Sequence, residues 1–466
     1  MLELNWPFAS ISAALSKLLV QPAPQGEQAI RLVQTDSRQV AQGDLFVCLV
    51  GERFDAHDFA AQVKASGACG LVVDRPLPTD LPQWVVQDTR LAFGALAHAW
   101  RMQFDIPVLA VVGSNGKTTT KEMLGAMCKA HCGTEHVLVT AGNLNNDIGV
   151  PQTLLKLRKQ HQMAVIEMGM NHPGEIDYLA GLVKPRVALL TNAQREHQEF
   201  MKSVRAVAQE NGSVFCHLPA AGTAVIPAHT EFDDLWVAQC TADNMLRFGA
   251  GADFDLVMPK RSDHQAKSTL RMPGAEHPLQ TSFLGQHNAN NASAAAAAAF
   301  SAGCSAHAIC QGLKDFRAVN GRLQVVCNTP NLLLVNDAYN ANPDSVNAAS
   351  DVLVDLPGNT LMILGDMGEV GDQSDAYHRE VGMYAKQVGV KYLFALGDAT
   401  VHSVSGFGSG ATHFNNLENL IEFTMKTLQQ GSWSVLVKGS RFMKMERVVD
   451  ALMMAQSSKT EGQHAS

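Results

Sequence analysis

The sequence predicts an α/β protein with three domains: a small N-terminal domain, a central domain with a parallel sheet, and a doubly wound C-terminal domain. At 466 residues the chain is too long for one hydrophobic core. A strand, a glycine-rich turn and a helix follow one another from residue 108, and four strand candidates alternate with helical stretches after residue 320. We therefore predict domains spanning residues 1–88, 89–317 and 318–466.

The N-terminal region contains short apolar strand candidates, residues 44–50 and 70–74, with a helix-like segment from Phe59 to Ser66 between them. A polar run that follows another strand candidate consists of Thr35, Asp36, Ser37 and Arg38. Such a run can bind a ligand or simply form an Asx turn, and the spacing alone favours the turn.

The central domain is predicted around a strand, a loop and a helix. Residues 108–112 are apolar and predict a buried strand, and residues 119–127 have the composition of a helix. The two glycines between them would let backbone N–H groups surround phosphate oxygens, Lys117 would add a cation, and Thr118 would offer a hydroxyl to Mg²⁺. The predicted residues for ATP or GTP are Gly113, Ser114, Asn115, Gly116, Lys117, Thr118 and Thr119. The alternative is a glycine turn beside a surface lysine.

Two further strand candidates of this domain, residues 163–168 and 186–192, end in polar side chains. An acidic residue at the carboxyl end of a strand beside the phosphate loop commonly holds Mg²⁺, so Glu167 is a candidate ligand, although a helix cap or a surface carboxylate fits equally well. His197 could reach the same metal or be structural. The polar loop at residues 142–149 could bind an extended ligand or merely connect two elements. An alanine run at 294–299 predicts a packing helix.

The C-terminal strand candidates also end in polar residues. These strands are residues 332–336, 360–364, 391–396 and 434–437. In open parallel sheets the ligand cleft lies at the carboxyl ends of the strands. The pattern therefore predicts a Rossmann-like domain with a binding face.

Composition limits the classes of partner. The net charge of −8 argues against nucleic acid or an anionic membrane as the main partner. The nine cysteines lack metal-ligand spacing and predict reduced thiols. The N-terminal segment lacks a basic start and no apolar run is long enough to cross a membrane, so we expect a cytoplasmic protein.

A phosphate-binding domain flanked by two α/β domains supports two classes of function. One is a switch or transporter-type NTPase. The other is a ligase, in which the γ-phosphate is transferred to a carboxylate and an amine attacks the resulting acyl phosphate. No glutamine or arginine placed to activate water is evident, which modestly favours the ligase.

The glycine-rich loop resembles the shortened P-loop of the Mur ligases, the ATP-dependent amide-forming enzymes of peptidoglycan precursor synthesis; Val111 stands where the general pattern has its first glycine. The resemblance spans nearly the whole chain. Within the family it is closest to the members that join D-alanyl-D-alanine to UDP-N-acetylmuramoyl-tripeptide. The resemblance lies in residues 142–146 with Gly149, 167–169, 192–193 with His197, 337–343 and 364–367. The Tyr-Asn-Ala-Asn-Pro run at 339–343 is the most specific of these.

The resemblance implies a cytoplasmic, monomeric enzyme that uses ATP and two Mg²⁺ ions.

 The implied catalytic residues are Lys117, Glu167, His197 and Arg322, and the implied metal ligands are Thr118, Glu167 and His197. Asn291, Arg322 and Asp337 would contact the nucleotide, the last two only after the C-terminal domain closes about a hinge at Gly321. The implied substrate residues are Thr35, Asp36, Ser37 and Arg38 for the UDP-sugar, Asn143, Asn145 and Asn146 for the peptide, and Asn340, Asn342, Lys438 and Arg441 for D-alanyl-D-alanine. The third residue of the tripeptide, meso-diaminopimelate or lysine, stays open because both carry the same reacting carboxylate.

Two positions depart from the family pattern. Many Mur ligases carry a carbamylated lysine beside the second metal, and the alignment on His197, Ala208 and Gly212 places Asn211 there. An asparagine cannot carry a carbamate. Ala56 replaces the usual glycine between Asp55 and His57, which changes little.

Overall fold

The structure is a computed structural model that describes residues 4–196, 199–259 and 267–464. It contains three α/β domains, as the sequence predicts. Their parallel sheets are built from short apolar strands that are buried on both faces, which is the usual setting of such sheets. Among the described residues, no helix is both long and apolar enough to span a membrane. All nine cysteines are described, and each is a free thiol.

The N-terminal domain has a four-stranded parallel sheet in the order β3-β4-β5-β6 and a separate antiparallel pair, β1-β2. Trp84, in strand β6 of this sheet, has a fully buried side chain, and its indole N–H donates to Ser12 Oγ of α1 at 2.9 Å. The elements are β1 (Trp6–Pro7), α1 (Phe8–Leu15), β2 (Ala29–Ile30), β3 (Val33–Gln34), β4 (Leu45–Val47), α2 (Ala60–Ala65), β5 (Gly70–Val73) and β6 (Gln83–Val85).

The central domain is organised on a six-stranded parallel sheet in the order β12-β11-β10-β7-β9-β8, followed by a three-stranded antiparallel sheet, β13-β14-β15. The sequence analysis did not predict the antiparallel sheet or the strands β8, β11 and β12. The elements are α3 (Thr89–Arg101), β7 (Val108–Val112), α4 (Lys117–Cys132), β8 (Val137–Val139), α5 (Gly149–Leu154), β9 (Met163–Glu167), α6 (Glu175–Val183), β10 (Val187–Leu190), α7 (Val204–Gly212), β11 (Thr223–Pro227), α8 (Asp233–Gln239), β12 (Asn244–Phe248), β13 (Asp255–Val257), β14 (Ser268–Met272), β15 (Ala275–Leu279), α9 (Gln286–Ser301) and α10 (Ala306–Asp315).

The alanine run predicted to form a packing helix lies in α9. Its six alanines, residues 294–299, are completely buried in the same cluster as Leu124 and Met127 of α4. Small side chains let the backbones of two helices approach closely, so α9 can lie against the helix that follows the phosphate loop.

The C-terminal domain has a six-stranded sheet in the order β16-β17-β21-β18-β19-β20, in which only the edge strand β16 is antiparallel to its neighbour. Separate apolar clusters cover its two faces, as expected for a doubly wound sheet. The elements are β16 (Gln324–Asn328), β17 (Leu332–Asp337), α11 (Pro343–Val354), β18 (Asn359–Gly365), α12 (Ser374–Val388), β19 (Tyr392–Leu396), α13 (Thr400–Phe407), β20 (Ala411–Phe414), α14 (Leu417–Thr427), β21 (Trp433–Lys438) and α15 (Glu446–His464).

Candidate active site

The loop between β7 and α4 has the backbone of a phosphate-binding turn. Gly113 has φ +124° and Gly116 has φ +84°, conformations that a residue with a Cβ rarely adopts. A Cβ on Gly116 would also collide with the side-chain amide of Asn291 in α9. Both glycines are therefore required by the turn itself, and Asn291 lies directly against it.

The ammonium group of Lys117 lies inside this loop. It donates to the carbonyl oxygens of Gly113 and Ser114, the latter at 3.0 Å, and lies 3.4 Å from Oε2 of Glu196. The Lys117 side chain is 15% exposed, so it remains accessible from the adjoining cavity. The cation is thus held at the position where an incoming phosphate would meet it.

Glu167 ends β9 next to the loop and is almost completely buried, with 1% of its surface exposed. Its Oε1 accepts hydrogen bonds from Thr118 Oγ1 at 3.1 Å and from Asn145 Nδ2 at 2.8 Å. Its Oε2 is buried without a hydrogen-bond partner and lies 3.9 Å from the Lys121 ammonium. A buried carboxylate oxygen in this condition, beside a threonine hydroxyl, suits a hard divalent cation.

No cluster of three or more histidine, cysteine, aspartate or glutamate side chains that could hold a metal occurs in the part of the chain that the structure describes. His197, the third predicted ligand, lies outside the described residues. Among the described side chains, Glu167 and Thr118 would therefore hold a metal at this point, and oxygens of a nucleotide would complete its coordination when one is bound.

The C-terminal domain reaches the phosphate loop directly. Arg322 donates from Nη2 to Thr118 Oγ1 at 3.1 Å, and its guanidinium stacks 4.2 Å from the ring centre of Tyr339. The side-chain amide of Asn342 donates to Asn115 Oδ1 at 3.0 Å. Side chains from two domains thus converge on one loop, which the sequence analysis expected only after domain closure.

Asp337 and Lys438, predicted to contact different substrates, form an ion pair at 2.8 Å. Both side chains are largely buried, with 12% and 4% exposed. Asp337 also accepts from the backbone N–H of Leu323 at 3.0 Å, and Lys438 donates to the carbonyl oxygen of Asn340 at 2.9 Å. The pair consequently joins the ends of β17 and β21 beside the segment that carries Arg322.

A cavity of about 1050 Å³ lies at the junction of the central and C-terminal domains. Most of the predicted site residues line it: Ser114, Asn115, Gly116, Lys117, Thr118, Thr119, Asn143, Asn145, Asn146, Glu167, Asn291, Arg322, Asp337, Asn340, Asn342 and Lys438. This volume is at the upper end of the range for small-molecule sites, so the cavity can hold a nucleotide together with part of a second ligand.

Three family models match successive parts of the chain: the Mur ligase family catalytic domain at residues 29–116, the Mur ligase middle domain at 111–299, and the Mur ligase glutamate ligase domain at 321–441. The chain is 42% identical to the UDP-N-acetylmuramoyl-tripeptide--D-alanyl-D-alanine ligase of Escherichia coli strain K12, over 95% of this chain and 98% of that protein. This chain belongs to the Mur ligase family. The corresponding ligase of Haemophilus influenzae is 38% identical over 91% of this chain and 93% of its own length.

Solved structures agree with this assignment to the Mur ligases. A crystal structure of MurF from Acinetobacter baumannii superposes with a TM-score of 0.88 at 36% identity, covering 97% of this chain and 100% of that one. The three-domain α/β architecture predicted from the sequence is therefore confirmed for this Mur ligase.

Some predicted substrate residues do not line the cavity. In the N-terminal run, Asp36 accepts from the backbone N–H of Arg38 at 3.0 Å, which is the Asx turn that the spacing favoured. Thr35 accepts from Gln152 of α5 at 3.2 Å, so the run contacts the central domain. Ser37 begins the short 3₁₀ turn that follows. Binding of a UDP-sugar by these residues stays a prediction.

Two predicted substrate side chains have structural partners. Arg441 is 66% exposed, pairs with Glu446 at 3.0 Å and lies outside the cavity lining. Asn342 caps α11 by accepting from the backbone N–H of Ser345 at 2.8 Å, in a capping box. Contacts of either residue with D-alanyl-D-alanine stay predictions.

Asn211, at the position of the family's carbamylated lysine, supports the phosphate loop. It is 1% exposed, accepts from the Gly113 N–H at 2.9 Å and donates to Val207 O at 3.1 Å. The amide oxygen of Asn211 therefore holds the start of the loop while its nitrogen bonds the preceding turn of α7, and the side chain at this position carries no charge.

The sequence analysis missed several residues of the cavity. Gln194, Arg195 and Glu196 line the cavity in the segment that follows β10. Others lie at the carboxyl ends of strands that the sequence analysis did not predict: Pro227, Ala228 and His229 at the end of β11, and Phe248, Gly249 and Ala250 at the end of β12. The rule that ligands bind at the carboxyl ends of parallel strands would have found them once those strands were recognised.

Proposed function

We propose that this Mur ligase uses ATP to join D-alanyl-D-alanine to UDP-N-acetylmuramoyl-tripeptide, giving the pentapeptide, ADP and phosphate. The observation that carries the proposal is the convergence of Lys117, Thr118 and Glu167 from the central domain with Arg322 from the C-terminal domain at one cavity. The names of the relatives that match along nearly their whole length specify the substrates.

The first chemical problem is charge repulsion, because a substrate carboxylate must approach the γ-phosphate of ATP. Lys117 and the N–H groups of the loop would bind the phosphates, and Arg322 would add a second cation from the opposite side. Glu167 and Thr118, with His197 as a further ligand, would hold Mg²⁺, which supplies charge neutralisation when bound. Two ions are part of this proposal.

The second problem is water, which would hydrolyse an acyl phosphate. Arg322 and Asn342 already bring the C-terminal domain against the loop, so the reaction would occur in a cavity closed by both domains. Asn143 and Asn145 would orient the peptide that carries the carboxylate, and Asn340 would face the incoming amine. The carboxylate attacks the γ-phosphorus and ADP leaves with the bridging oxygen. The neutral amine then attacks the acyl carbon, the carbon–oxygen bond to phosphate breaks, phosphate leaves, and the nitrogen loses one proton to give the amide.

The proposal also includes a cytoplasmic location and a monomeric state. The free thiols of all nine cysteines suit a reducing compartment. The tripeptide would enter the cavity across the loop at residues 143–146, and D-alanyl-D-alanine would enter across the end of β17.

The deciding experiment measures ADP release from ATP and UDP-N-acetylmuramoyl-tripeptide, with and without D-alanyl-D-alanine, and identifies the product by mass. We expect a product heavier than the tripeptide substrate by two alanine residues, and we expect ADP release to require both UDP-N-acetylmuramoyl-tripeptide and D-alanyl-D-alanine. A switch-type NTPase would release ADP without either substrate and give no new product. Lys117→Ala serves as the inactive control.

A further inference from the structure

Arg195 of the central domain makes four hydrogen bonds to the C-terminal domain, more than any residue discussed above. Its backbone N–H donates to Asp344 Oδ2 at 2.9 Å, while Nε and Nη2 donate to Asp344 Oδ1 at 3.1 and 2.6 Å. Its Nη1 donates to Glu380 Oε2 at 2.9 Å, and the guanidinium lies 5.2 Å from the ring centre of Tyr377. One arginine of the central domain is thus held by two carboxylates and an aromatic ring of the C-terminal domain.

The contact is partly shielded from water. The side chains of Arg195 and Asp344 are each 21% exposed, and Glu380 is 44% exposed. Partial burial alone would lower the pKa of Arg195, but the hydrogen bonds that it donates to both carboxylates raise the pKa above its ordinary value. Partly buried, multiply bonded arginine–carboxylate contacts are stronger and more directional than exposed ion pairs.

The two neighbours of Arg195 in the chain both contact the phosphate loop. Gln194 accepts from the Asn115 side-chain amide at 2.7 Å, and its backbone N–H donates to Ser114 Oγ at 2.9 Å. Glu196 lies 3.4 Å from the Lys117 ammonium. A displacement of Arg195 would therefore be transmitted to both sides of the loop through peptide bonds.

The partner of Arg195 lies at a fixed point of the C-terminal domain. Asp344 is in the first turn of α11, where the helix dipole favours a carboxylate. Asn342, which caps the same helix, contacts Asn115 of the phosphate loop. The start of α11 thus touches the central domain at two points, one on the loop and one beside it.

We propose that Arg195 is a positioning residue that couples closure of the C-terminal domain to the geometry of the phosphate loop. When Arg195 is bound to Asp344 and Glu380, Gln194 and Glu196 are held against Asn115 and Lys117. When the domains separate, this restraint is lost. The role in turnover rests on the ligase function proposed above, whereas the role in closure does not.

The first test compares Arg195→Ala with Arg195→Lys and with Arg205→Ala, an exposed arginine of α7 as the matched control. We expect kcat of Arg195→Ala to fall by about tenfold or more, with KM for the tripeptide changed by less than about twofold, because closure acts after that substrate binds. Arg195→Lys should recover part of the rate, since a lysine keeps the charge but loses the two-pronged contact. Arg205→Ala should match the wild type.

A double variant tests the pairing. If Arg195 acts through Asp344, the double variant Arg195→Ala, Asp344→Ala should be no slower than the slower of the two single variants. If the two residues act independently, the fold-losses in kcat of the single variants should multiply in the double variant. Multiplicative losses would overturn the pairing, and so would an Arg195→Ala enzyme whose only change is a higher KM for ATP.

Closure is measured separately by small-angle X-ray scattering of the full chain, without ligands and again with a non-hydrolysable ATP analogue and the tripeptide, because closure follows substrate binding. We expect a larger radius of gyration for Arg195→Ala than for the wild type and Arg205→Ala, with unchanged circular dichroism. Equal radii together with wild-type kcat would overturn the inference. If the wild type makes no pentapeptide, the ligase proposal fails, while the scattering comparison still decides the closure role.

Discussion

Removing the Arg322 side chain should separate turnover from substrate binding. Arg322 contributes a charged hydrogen bond to Thr118 at 3.1 Å and a stacking contact with Tyr339 at 4.2 Å, both at the cavity. Such contacts are worth roughly 1.5–3 and 0.5–1 kcal/mol. If Arg322 makes a charged hydrogen bond of this strength to the reacting phosphate, while the stacking contact is the same in the ground and transition states, Arg322→Ala loses about 1.5–3 kcal/mol in the transition state, or roughly 10- to 160-fold in rate.

The assay combines steady-state product formation with calorimetry of tripeptide binding. We expect the dissociation constant for the tripeptide to change by less than about threefold, because that substrate binds before closure. Arg322→Lys keeps a cation but loses the stacked plane, and should fall between the wild type and the alanine variant. Arg317→Ala is the control, since within the described part of the chain Arg317 donates to the carbonyl oxygens of Lys314, Asp315 and Phe316 in its own segment. Equal losses in affinity and in turnover would refute the role of Arg322 as a closure-dependent cation.

Three further outcomes are expected. Lys117→Ala should lose at least about a hundredfold in kcat with an unchanged melting temperature, because one cation leaves the phosphate site; near-normal turnover would contradict the loop assignment. Activity should be indifferent to stripping and restoring bicarbonate, since Asn211 cannot carry a carbamate and is bonded to Gly113; a bicarbonate-dependent rate would contradict this. His378 accepts from the Met367 N–H at 3.0 Å, and burial lowers its pKa below 6.5. Because the unfolded chain then binds this proton more readily than the folded chain, stability should fall as the pH drops below about 6.5. Thermal melts of the wild type and His378→Gln across this pH range test this, and melting temperatures that depend on pH equally in both proteins would refute it.

The sequence predicted the local elements well because their signals are local. Five consecutive apolar residues specified β7, two glycines specified the turn, and the alanine run specified α9. The weaker strands were missed for the same reason. Strand β12 includes exposed or half-buried polar positions such as Asn244 and Arg247, and β15 includes Pro278, so neither shows a clear apolar pattern.

The sequence by itself determined the phosphate loop, the run of parallel-sheet domains and the residue types available for catalysis. The tertiary structure decided which of those residues meet. Arg322 lies 204 positions from Thr118, and Arg195 lies 149 positions from Asp344. Contacts at such separations depend on strand order and on how the domains dock, which no local periodicity encodes. Asn342 shows the difference most clearly, since its place before Pro343 predicts a polar strand end, whereas only the docked domains place its amide on Asn115.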